Sequence, residues 1–304
     1  MKPTAKDSYI LQDEITGDWA IVAPERMHRP FDIERKKKNN DPFAPTAIPK
    51  ESIIAKYGRG ENEMIVMRNA FPVFRRKRGV TGWQEIVVEG RKIIPFCNST
   101  PARIFNLLEA FNERFKVLRQ DSKIKYIQAF KNEGILAGAS QPHPHSQIFA
   151  VSFVPDRLRD AANRRRAATK RLRMTSHRYS LGLATKERIV FSDKNVIAYA
   201  NPAARFSYEV RILTRRAVDN LTKTKPEERR SLASAVYALL PLMKKRKMSY
   251  NFFFHDVLDE ADEHFEIRFT PRSNVWGGFE LDTGISVNPV PAEFAAEEYK
   301  GSGK

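Results

Sequence analysis

The sequence predicts an α+β protein made of two similar units, each an antiparallel sheet with helices packed on one face. Both halves of the 304-residue chain show strand-like runs, then one long amphipathic helix, then two more strands. Each half also carries a histidine in its last strand region. A strongly basic stretch separates the halves, so we expect repeats at 1–155 and 185–304 joined by a connector at 156–184.

Turn residues and hydrophobic patterns locate the elements of the first half. Residues 8–23 predict a hairpin because a Thr-Gly turn signal separates two short β-rich runs. Residues 32–62 are rich in Pro, Asn, Asp and Lys, and therefore predict a long loop. A glycine-containing turn is expected at 132–138. The strands of this half are predicted at 64–67, 84–89, 126–130 and 148–153.

Two long helices follow from apolar residues that recur every three or four positions. The first is expected from 99 to about 120, with Ser99 or Thr100 as its cap. The second is expected at 226–243, with Thr224 as a possible cap. Strands of the second half are predicted at 188–191, 196–199, 208–213, 250–255 and 264–269.

Composition excludes several classes of protein. Hydrophobic residues make up 41% of the chain, which is enough for a sizeable core and excludes a wholly disordered protein. Cys97 is the single cysteine, so neither an internal disulfide nor a zinc site with several thiolates can form. The sequence contains no apolar run of the roughly 18 residues that span a bilayer, and no signal-like N-terminus. We therefore expect a cytoplasmic protein.

Charge is the least ordinary property of the composition. The formal net charge is +17, which favours polyanions or phosphorylated ligands. Residues 157–178 hold nine Lys or Arg and a single acid, Asp160. This basic stretch is equally compatible with a solvated face or a mobile loop.

The segment His143-Pro144-His145-Ser146-Gln147 carries the clearest chemical signal. Two histidines at this spacing point the same way in an extended chain, and the prolines stiffen it. Nearby small residues, among them Gly134 and Gly138, let a phosphate approach the backbone. An imidazole aimed by a hydrogen bond on its other nitrogen is a nucleophile for phosphorus, and Gln147 offers an amide donor. A pair of metal ligands or a structural feature would give the same spacing.

The stretch 130–150, with Asn132-x-Gly134 followed by the His-Pro-His segment, closely resembles the active-site segment of galactose-1-phosphate uridylyltransferases. These enzymes belong to the histidine-triad superfamily. The resemblance implies two tandem histidine-triad-like repeats with antiparallel sheets and packed helices, usually assembled as a homodimer. It extends over most of the chain, to the N-terminal strand, an Asn-x-Phe-Pro element at 69–72 and the C-terminal segment.

The resemblance also implies a mechanism and a set of site residues. His145 would attack the α-phosphorus of a nucleotide sugar, and a second sugar 1-phosphate would then take the nucleotide in a ping-pong exchange. His143 and Gln147 complete the catalytic set, and Gln147 points to a transferase or phosphorylase rather than a hydrolase. The implied substrate-binding residues are Arg26, Arg29, Asn69, Phe71, Asn132, Gly138, Ser140, Phe279 and Glu280.

The chain departs from the family at its metal ligands. Many members bind zinc through a Cys-Pro-Phe-Cys sequence and two histidines. Here Asp41 and Ala44 replace the cysteines, Ile93 stands near the third position, and His143 remains alone. One ligand does not hold zinc, so we predict no zinc and no other metal cofactor. Glu266 replaces the second histidine of a His-x-His pair, and a second metal site is therefore not expected.

The function predicted best is uridylyl transfer between UDP-glucose and galactose 1-phosphate. A phosphorylase acting on a nucleotide sugar such as ADP-glucose, or on a dinucleoside polyphosphate, is a close alternative, because Asn69 could face uracil or adenine. A non-catalytic nucleic-acid-binding protein on the same scaffold is a third, suggested by the basic stretch. We expect a nucleotide sugar and a sugar 1-phosphate as partners, a homodimer, and no membrane.

Overall fold

The computed structural model describes residues 9–12, 19–23, 41–73, 82–256, 264–273 and 275–303. These residues form two antiparallel sheets and six α-helices. The smaller sheet is the expected N-terminal hairpin of β1 (Tyr9–Gln12) and β2 (Trp19–Val22). The helices are α1 (Pro101–Leu118), α2 (Asp156–Leu172), α3 (Ser176–Gly182), α4 (Pro226–Arg246), α5 (Gly278–Thr283) and α6 (Ala292–Ser302).

The larger sheet has ten strands, and every neighbouring pair is antiparallel. Five come from the first half: β3 (Ile53–Tyr57), β4 (Met64–Arg68), β5 (Gly82–Glu89), β6 (Tyr126–Glu133) and β7 (His145–Val151). Five come from the second: β8 (Ile189–Ser192), β9 (Val196–Ala200), β10 (Val210–Thr214), β11 (Ser249–His255) and β12 (Glu266–Arg272).

The strand order shows that the two halves are repeats of one another. It runs β3-β4-β5-β7-β6-β11-β12-β10-β9-β8, so each half places its strands in the same order from its outer edge inward. This arrangement confirms the predicted α+β fold of two similar units. The expected pair of separate sheets is instead one continuous sheet, because β6 and β11 hydrogen-bond to each other and bring Asn132 opposite Asn251.

The two long helices lie on one face of this sheet. Alternate strand residues such as Ile148 and Ile267 face the helices and form the main core with Leu107 of α1 and Leu239 of α4. Burial of these side chains supplies the main stabilisation of the layered fold. The other face of the sheet, here called the open face, carries smaller apolar clusters and the polar residues described below.

The helix caps agree with the sequence only in part. The Thr100 side chain accepts a hydrogen bond from the Arg103 amide at 3.2 Å, which confirms Thr100 as the cap of α1. The prediction for Thr224 was wrong, because Lys225 is the residue that precedes α4. The Thr224 hydroxyl instead donates to the Leu221 carbonyl oxygen at 2.5 Å and closes the preceding turn.

Two predicted irregular segments contain regular structure. The expected loop at 32–62 contains β3, which pairs with β4 at the edge of the sheet, so the loop prediction was wrong there. Its polar composition obscured the strand, because an edge strand buries little apolar surface. The basic connector folds into α2 and α3. The α2 helix has no buried residue, so it lacks the apolar periodicity that would have revealed it.

No helix in the described part of the chain combines the length and the apolar character needed to cross a lipid bilayer.

Candidate active site

His145 is the first residue of β7 and lies on the open face of the sheet, opposite Val88 of β5. Its Nδ1 atom lies 2.9 Å from the main-chain oxygen of His143. A carbonyl oxygen can only accept, so Nδ1 carries the hydrogen in this contact. In the neutral ring the lone pair is then on Nε2. His145 is only 6% exposed, yet it lines a cleft.

The cleft has a volume of about 240 Å³. One wall is the turn that follows β6, where Gly134 and Gly138 have φ of 81° and 78°. A Cβ at Gly134 would meet the Ser249 side chain at 2.4 Å, so glycine is required on both steric and backbone grounds. The lining residues are Asn132, Glu133, Gly134, Ile135, Ala139, Ser140, Gln141, Pro142, His143, Pro144 and His145.

His143 is fully buried, and both of its ring nitrogens face oxygen atoms. Nδ1 lies 2.7 Å from Oδ2 of Asp41, and Nε2 lies 3.1 Å from the carbonyl oxygen of Gly90. These contacts fix the ring and leave neither nitrogen facing a substrate. His143 therefore acts as a positioning residue, which holds the carbonyl oxygen that orients His145.

The residues at the family's zinc position do not fit a zinc ion. Asp41 uses one carboxylate oxygen on His143 and the other on the amide of Phe43 at 3.0 Å. Ala44 and Ile93 have no ligating atom. In the described residues, no three His, Cys, Asp or Glu side chains form a group suited to a metal ion.

Phe43 packs against His145 and His143 on the open face. Its ring centroid lies 4.9 Å from that of His145, and 6.1 Å from that of His143 in an edge-on arrangement. Phe43 is buried with Ile48, Val88 and other apolar residues of this face. Sequence reasoning missed this role, although Phe43 falls within the segment that replaces Cys-Pro-Phe-Cys.

A buried ion pair lies behind β7, on the helix side of the sheet. Lys131 Nζ is 3.0 and 3.1 Å from the two carboxylate oxygens of Glu89, and both side chains are fully buried. The Ser146 hydroxyl donates to Glu89 at 2.5 Å, and Lys131 also lies 3.4 Å from the main-chain oxygen of His145. The network thus contacts the main-chain oxygen of His145 and the side chain of the next residue. Glu89 lies inside the strand predicted at 84–89, but Lys131 lies one residue beyond the strand predicted at 126–130, which the structure extends to Glu133.

The second repeat reaches the cleft through Asn251 of β11. Its side-chain amide donates to the Asn132 side chain and to the Ala137 carbonyl oxygen, both at 2.8 Å. Arg272 Nε in turn donates to the Asn251 side-chain oxygen at 2.6 Å. Asn132 is one of the predicted site residues. Its partner Asn251 also holds the glycine turn in place through Ala137. Asn251 and Arg272 were not predicted, because only the β6–β11 pairing brings them there.

The structure brings part of the predicted substrate-binding set together. Asn132 and Ser140 line the cleft, and Gly138 ends the short 3-10 turn that forms its wall. Gln147 lies two residues after His145 on the same face of β7. Arg26 and Arg29 lie outside the described residues.

The other predicted residues lie apart from the cleft lining. Asn69 lines a separate cavity of about 600 Å³. The side-chain oxygen of Asn69 accepts a hydrogen bond from the amide of Phe71 at 2.9 Å, and Phe71 is exposed. Phe279 is exposed on α5, and Glu280 accepts a hydrogen bond from the Gly277 amide at 3.0 Å at the start of that helix.

The two-repeat sheet and its histidine cleft define a tandem histidine-triad-like protein. The sequence profile of the galactose-1-phosphate uridyl transferase N-terminal domain matches residues 76–155. ADP-glucose phosphorylase of Arabidopsis thaliana is 25% identical over 321 residues, which cover 94% of this chain and 90% of that protein. A solved structure of a uridylyltransferase matches the fold with a TM-score of 0.83 at 23% identity, over 96% of this chain and 98% of that one.

A relative of higher identity establishes the family. Galactose-1-phosphate uridylyltransferase of Rattus norvegicus is 31% identical over 262 residues, which cover 78% of this chain and 68% of that protein. The chain belongs to the galactose-1-phosphate uridylyltransferase family.

Proposed function

We propose that this protein is a nucleotidyltransferase that carries a nucleoside monophosphate on Nε2 of His145 and exchanges it between sugar 1-phosphates. UDP-glucose as donor and galactose 1-phosphate as acceptor are the proposed substrates. The observation that carries this proposal is the 2.9 Å contact between His145 Nδ1 and the His143 carbonyl oxygen in a cleft walled by a glycine turn. A histidine held in this tautomer presents its nucleophilic nitrogen to the cleft.

The proposed first step forms one bond and breaks one. The lone pair on Nε2 of His145 attacks the α-phosphorus, and the bond from that phosphorus to the bridging oxygen breaks. The bridging oxygen leaves with its electron pair as part of the sugar 1-phosphate. The imidazole ring becomes cationic in this step, because Nδ1 keeps its hydrogen. The His143 carbonyl oxygen, which accepts that hydrogen, stabilises the developing charge.

The second step is the reverse reaction with a different acceptor. A phosphate oxygen of the second sugar 1-phosphate attacks the α-phosphorus, and the bond from phosphorus to Nε2 breaks. The electron pair returns to Nε2, so the neutral ring is restored without net proton transfer. Positioning and charge stabilisation therefore supply the catalysis. We assign the phosphoryl oxygens to Gln147 and Ser140, with Arg26 and Arg29 as further partners.

A phosphorylase is the second candidate, and the full-length match to ADP-glucose phosphorylase of Arabidopsis thaliana favours it. In that reaction the same covalent intermediate forms, and inorganic phosphate replaces the second sugar 1-phosphate as acceptor. The cleft chemistry is common to both, so the acceptor has to be determined by experiment.

The homodimer implied by the family resemblance is part of the proposal. Residues 275–287 support it, because they include several strongly exposed apolar side chains, which are unusual on the surface of a monomer. Sedimentation velocity should show a dimer that a Leu281→Glu, Val287→Glu double variant weakens. The exposed apolar residues of this segment are Val275, Phe279, Leu281, Ile285 and Val287.

Intact-mass spectrometry tests the covalent step. The protein would be mixed separately with UDP-glucose and with ADP-glucose, then measured under non-acidic conditions. We expect one nucleoside monophosphate adduct per chain with one donor, lost on mild acid treatment as a phosphorus–nitrogen bond requires. His145→Ala should give no adduct and should retain the circular dichroism spectrum of the folded protein.

Release of the adduct then identifies the acceptor. Galactose 1-phosphate should regenerate the unmodified mass if the protein is a transferase, whereas inorganic phosphate should do so if it is a phosphorylase. An adduct that persists in His145→Ala, or a folded wild-type protein that is not labelled by either donor, would contradict the proposal.

A further inference from the structure

The second repeat contains a structural counterpart of the catalytic strand. β7 lies between β5 and β6, and β12 lies between β10 and β11, in equivalent positions of the two half-sheets. His145 begins β7 and Glu266 begins β12. His264 therefore corresponds to His143, and Arg268 to Gln147. The nucleophile position of the second repeat is occupied by a glutamate, so this repeat cannot form a nucleotidyl-histidine there.

A cavity of about 320 Å³ lies beside this position, between the basic α2 helix and the sheet. Ala161, Arg164, Arg165, Ala168 and Leu172 contribute one face of α2 to it, at the spacing of successive helix turns. Further along the chain, α3 and the sheet close the cavity. The remaining lining residues are Thr169, Arg171, Met174, Ser176, Tyr179, Ser180, Arg211 and His264.

Arg211, which lines the cavity, is already ion-paired to a carboxylate beneath the lining. Glu266 is fully buried, and its carboxylate lies 2.5 Å from Arg268 Nε and 3.6 Å from a terminal nitrogen of Arg211. Burial alone would raise the pKa of Glu266, but Arg268 and Arg211 outweigh it and hold that pKa well below its usual value. His264 is also buried and contacts the Ser176 hydroxyl at 3.0 Å through Nδ1.

The cavity lining is rich in positive charge on the side of α2. Four arginines and no acidic residue are found among the described residues that line the cavity. The side chains of Arg164 and Arg171 make no ion pair or hydrogen bond with any residue of the described chain. Guanidinium groups of this kind bind phosphate through paired hydrogen bonds. The charge predicts an anionic ligand with phosphate groups.

The rest of the lining is apolar or aromatic. Ala161, Ala168, Leu172 and Met174 form an apolar surface beside the arginines, and the Tyr179 ring lies next to it. Inorganic phosphate alone would leave this surface without a partner. Pockets that combine an apolar wall with a few polar anchors are typical of sites for organic ligands.

We propose that the second repeat is a non-catalytic nucleotide-binding site, in which Arg164 and Arg171 hold the phosphates and the apolar wall of α2 holds the base or sugar. This site is separate from the cleft at His145 and goes beyond the proposed transfer reaction. It also gives the basic stretch a specific role, because its arginines serve a cavity and not a general polyanion surface. The ligand binds without covalent chemistry, since Glu266 replaces the histidine.

Matched charge variants of α2 test this site. All four arginines used here are exposed residues of α2: Arg164→Gln, Arg171→Gln removes two that line the cavity, whereas Arg157→Gln, Arg166→Gln removes two that do not. The probe is ADP, measured by isothermal titration calorimetry and by hydrogen exchange of peptides covering 161–182. We expect wild type to bind two ADP molecules per chain. In the cavity variant, one of these two binding events should be weaker by about tenfold or more, because charge-assisted hydrogen bonds are lost.

The control variant should keep both binding events and the slowed exchange of peptides 161–182. Equal weakening in both variants would overturn the proposal, since it would show a diffuse electrostatic surface. Binding of a single ADP by wild type, or slowed exchange confined to 130–150, would also overturn it. Nucleotide labelling of His145 should be unchanged in the cavity variant, so failure of this site and failure of the transfer reaction give different results.

An oligonucleotide arm separates nucleotide binding from nucleic-acid binding. If a 12-nucleotide single strand bound more tightly than ADP, with a steep salt dependence that both variants reduced equally, α2 would be a polyanion surface and the cavity site would be refuted. ADP binding that weakens only in the cavity variant, with adenosine and inorganic phosphate both binding more weakly than ADP, would support the proposed ligand class.

Discussion

The Nδ1 atom of His145 lies 2.9 Å from the main-chain oxygen of His143. This contact joins the proposed nucleophile to a main-chain acceptor that no side-chain substitution can remove. Its geometry therefore depends on how firmly residue 143 is held. The His143 ring is anchored by the Asp41 carboxylate and by the Gly90 carbonyl oxygen. Removal of either anchor should disturb the orientation of His145 without changing its chemistry.

Asp41→Ala tests the anchor on His143. The substitution leaves the buried Nδ1 of His143 without its acceptor, which should cost about 1–3 kcal/mol in the free energy of unfolding. The rate of nucleotide labelling should fall about tenfold, because the orientation of His145 is looser. Asp41→Asn keeps an acceptor and should recover most of both losses. Urea denaturation measures the loss of stability, and time-resolved mass spectrometry measures the labelling rate. An unchanged labelling rate in Asp41→Ala would contradict the positioning role of His143.

Gln147 tests stabilisation of the phosphoryl oxygens. Gln147→Ala should lower the labelling rate about a hundredfold, as expected for loss of one preorganised donor. Gln147→Glu keeps the size of the side chain but places a carboxylate near anionic oxygens, so its rate should be lower still. Single-turnover labelling measures both variants. A rate for Gln147→Glu equal to that of wild type would show that Gln147 does not face the phosphate.

The ion pair between Lys131 and Glu89 tests the support behind β7. Lys131→Met leaves a buried carboxylate without its cation and should destabilise the protein by about 3–5 kcal/mol. The double variant Lys131→Met, Glu89→Gln removes both charges and should recover much of that loss. Urea denaturation of the four proteins completes a double-mutant cycle. A double variant as unstable as Lys131→Met alone would argue against charge burial as the cause.

Asp256 tests the pH dependence of stability. Burial raises the pKa of its carboxyl from 3.8 to about 7, although Arg119 opposes the shift. The folded state therefore keeps a proton that the unfolded state releases, so this group's contribution to stability is full below pH 4 and is lost as the pH rises to 7. The loss is about 4 kcal/mol.

Asp256→Asn should remove this contribution to the pH dependence. Its amide oxygen can still accept the hydrogen bond that the Leu221 amide donates at 3.1 Å. The difference in unfolding free energy between variant and wild type, measured in urea at pH 4.5 and pH 7.5, isolates Asp256 from other carboxylates such as Glu266, whose pKa is lowered. The variant should become more stable relative to wild type as the pH rises. A difference in unfolding free energy that stays constant with pH would show that Asp256 titrates normally.

Metal analysis tests the predicted absence of zinc. Asp41, Ala44 and Ile93 replace three ligands, and both ring nitrogens of His143 face oxygen atoms. Purified protein should contain well below one zinc per chain by plasma mass spectrometry. Its melting temperature should not change when a chelator is added. A zinc ion at one per chain that survives dialysis would contradict the prediction.

Most of the regular structure could be predicted because it follows from local patterns. The apolar period of α1, with Thr100 as its cap, depends on neighbours in sequence, and the same holds for the hairpin of β1 and β2. Edge strand β3 and the basic α2 were missed for one reason, since both bury little apolar surface and so leave a weak pattern. Thr224 was assigned wrongly because the turn at Leu221 competes for its hydroxyl.

The candidate site was predictable where its residues are contiguous. His143, His145 and Gln147 fall within five residues, so their chemistry and common direction follow from an extended backbone. The glycine turn at 134–138 was likewise recognisable, and its positive φ angles explain the need for glycine. The assignments of Asn69 and Glu280 to substrate came from family resemblance and stay predictions.

By itself, the sequence determined the class of fold, because residue type and short-range spacing express it directly, and the same signals predict a nucleophile at His145 and the loss of the zinc ligands. Only the tertiary structure decided what surrounds the predicted nucleophile. Lys131 and Asn251 meet the site through strand pairing, and Phe43 reaches it by packing a turn that lies about a hundred residues before His145. The same is true of the second cavity, where α2 lies beside His264, about a hundred residues further on. Long-range contacts of this kind depend on how whole elements pack, and no local pattern records them.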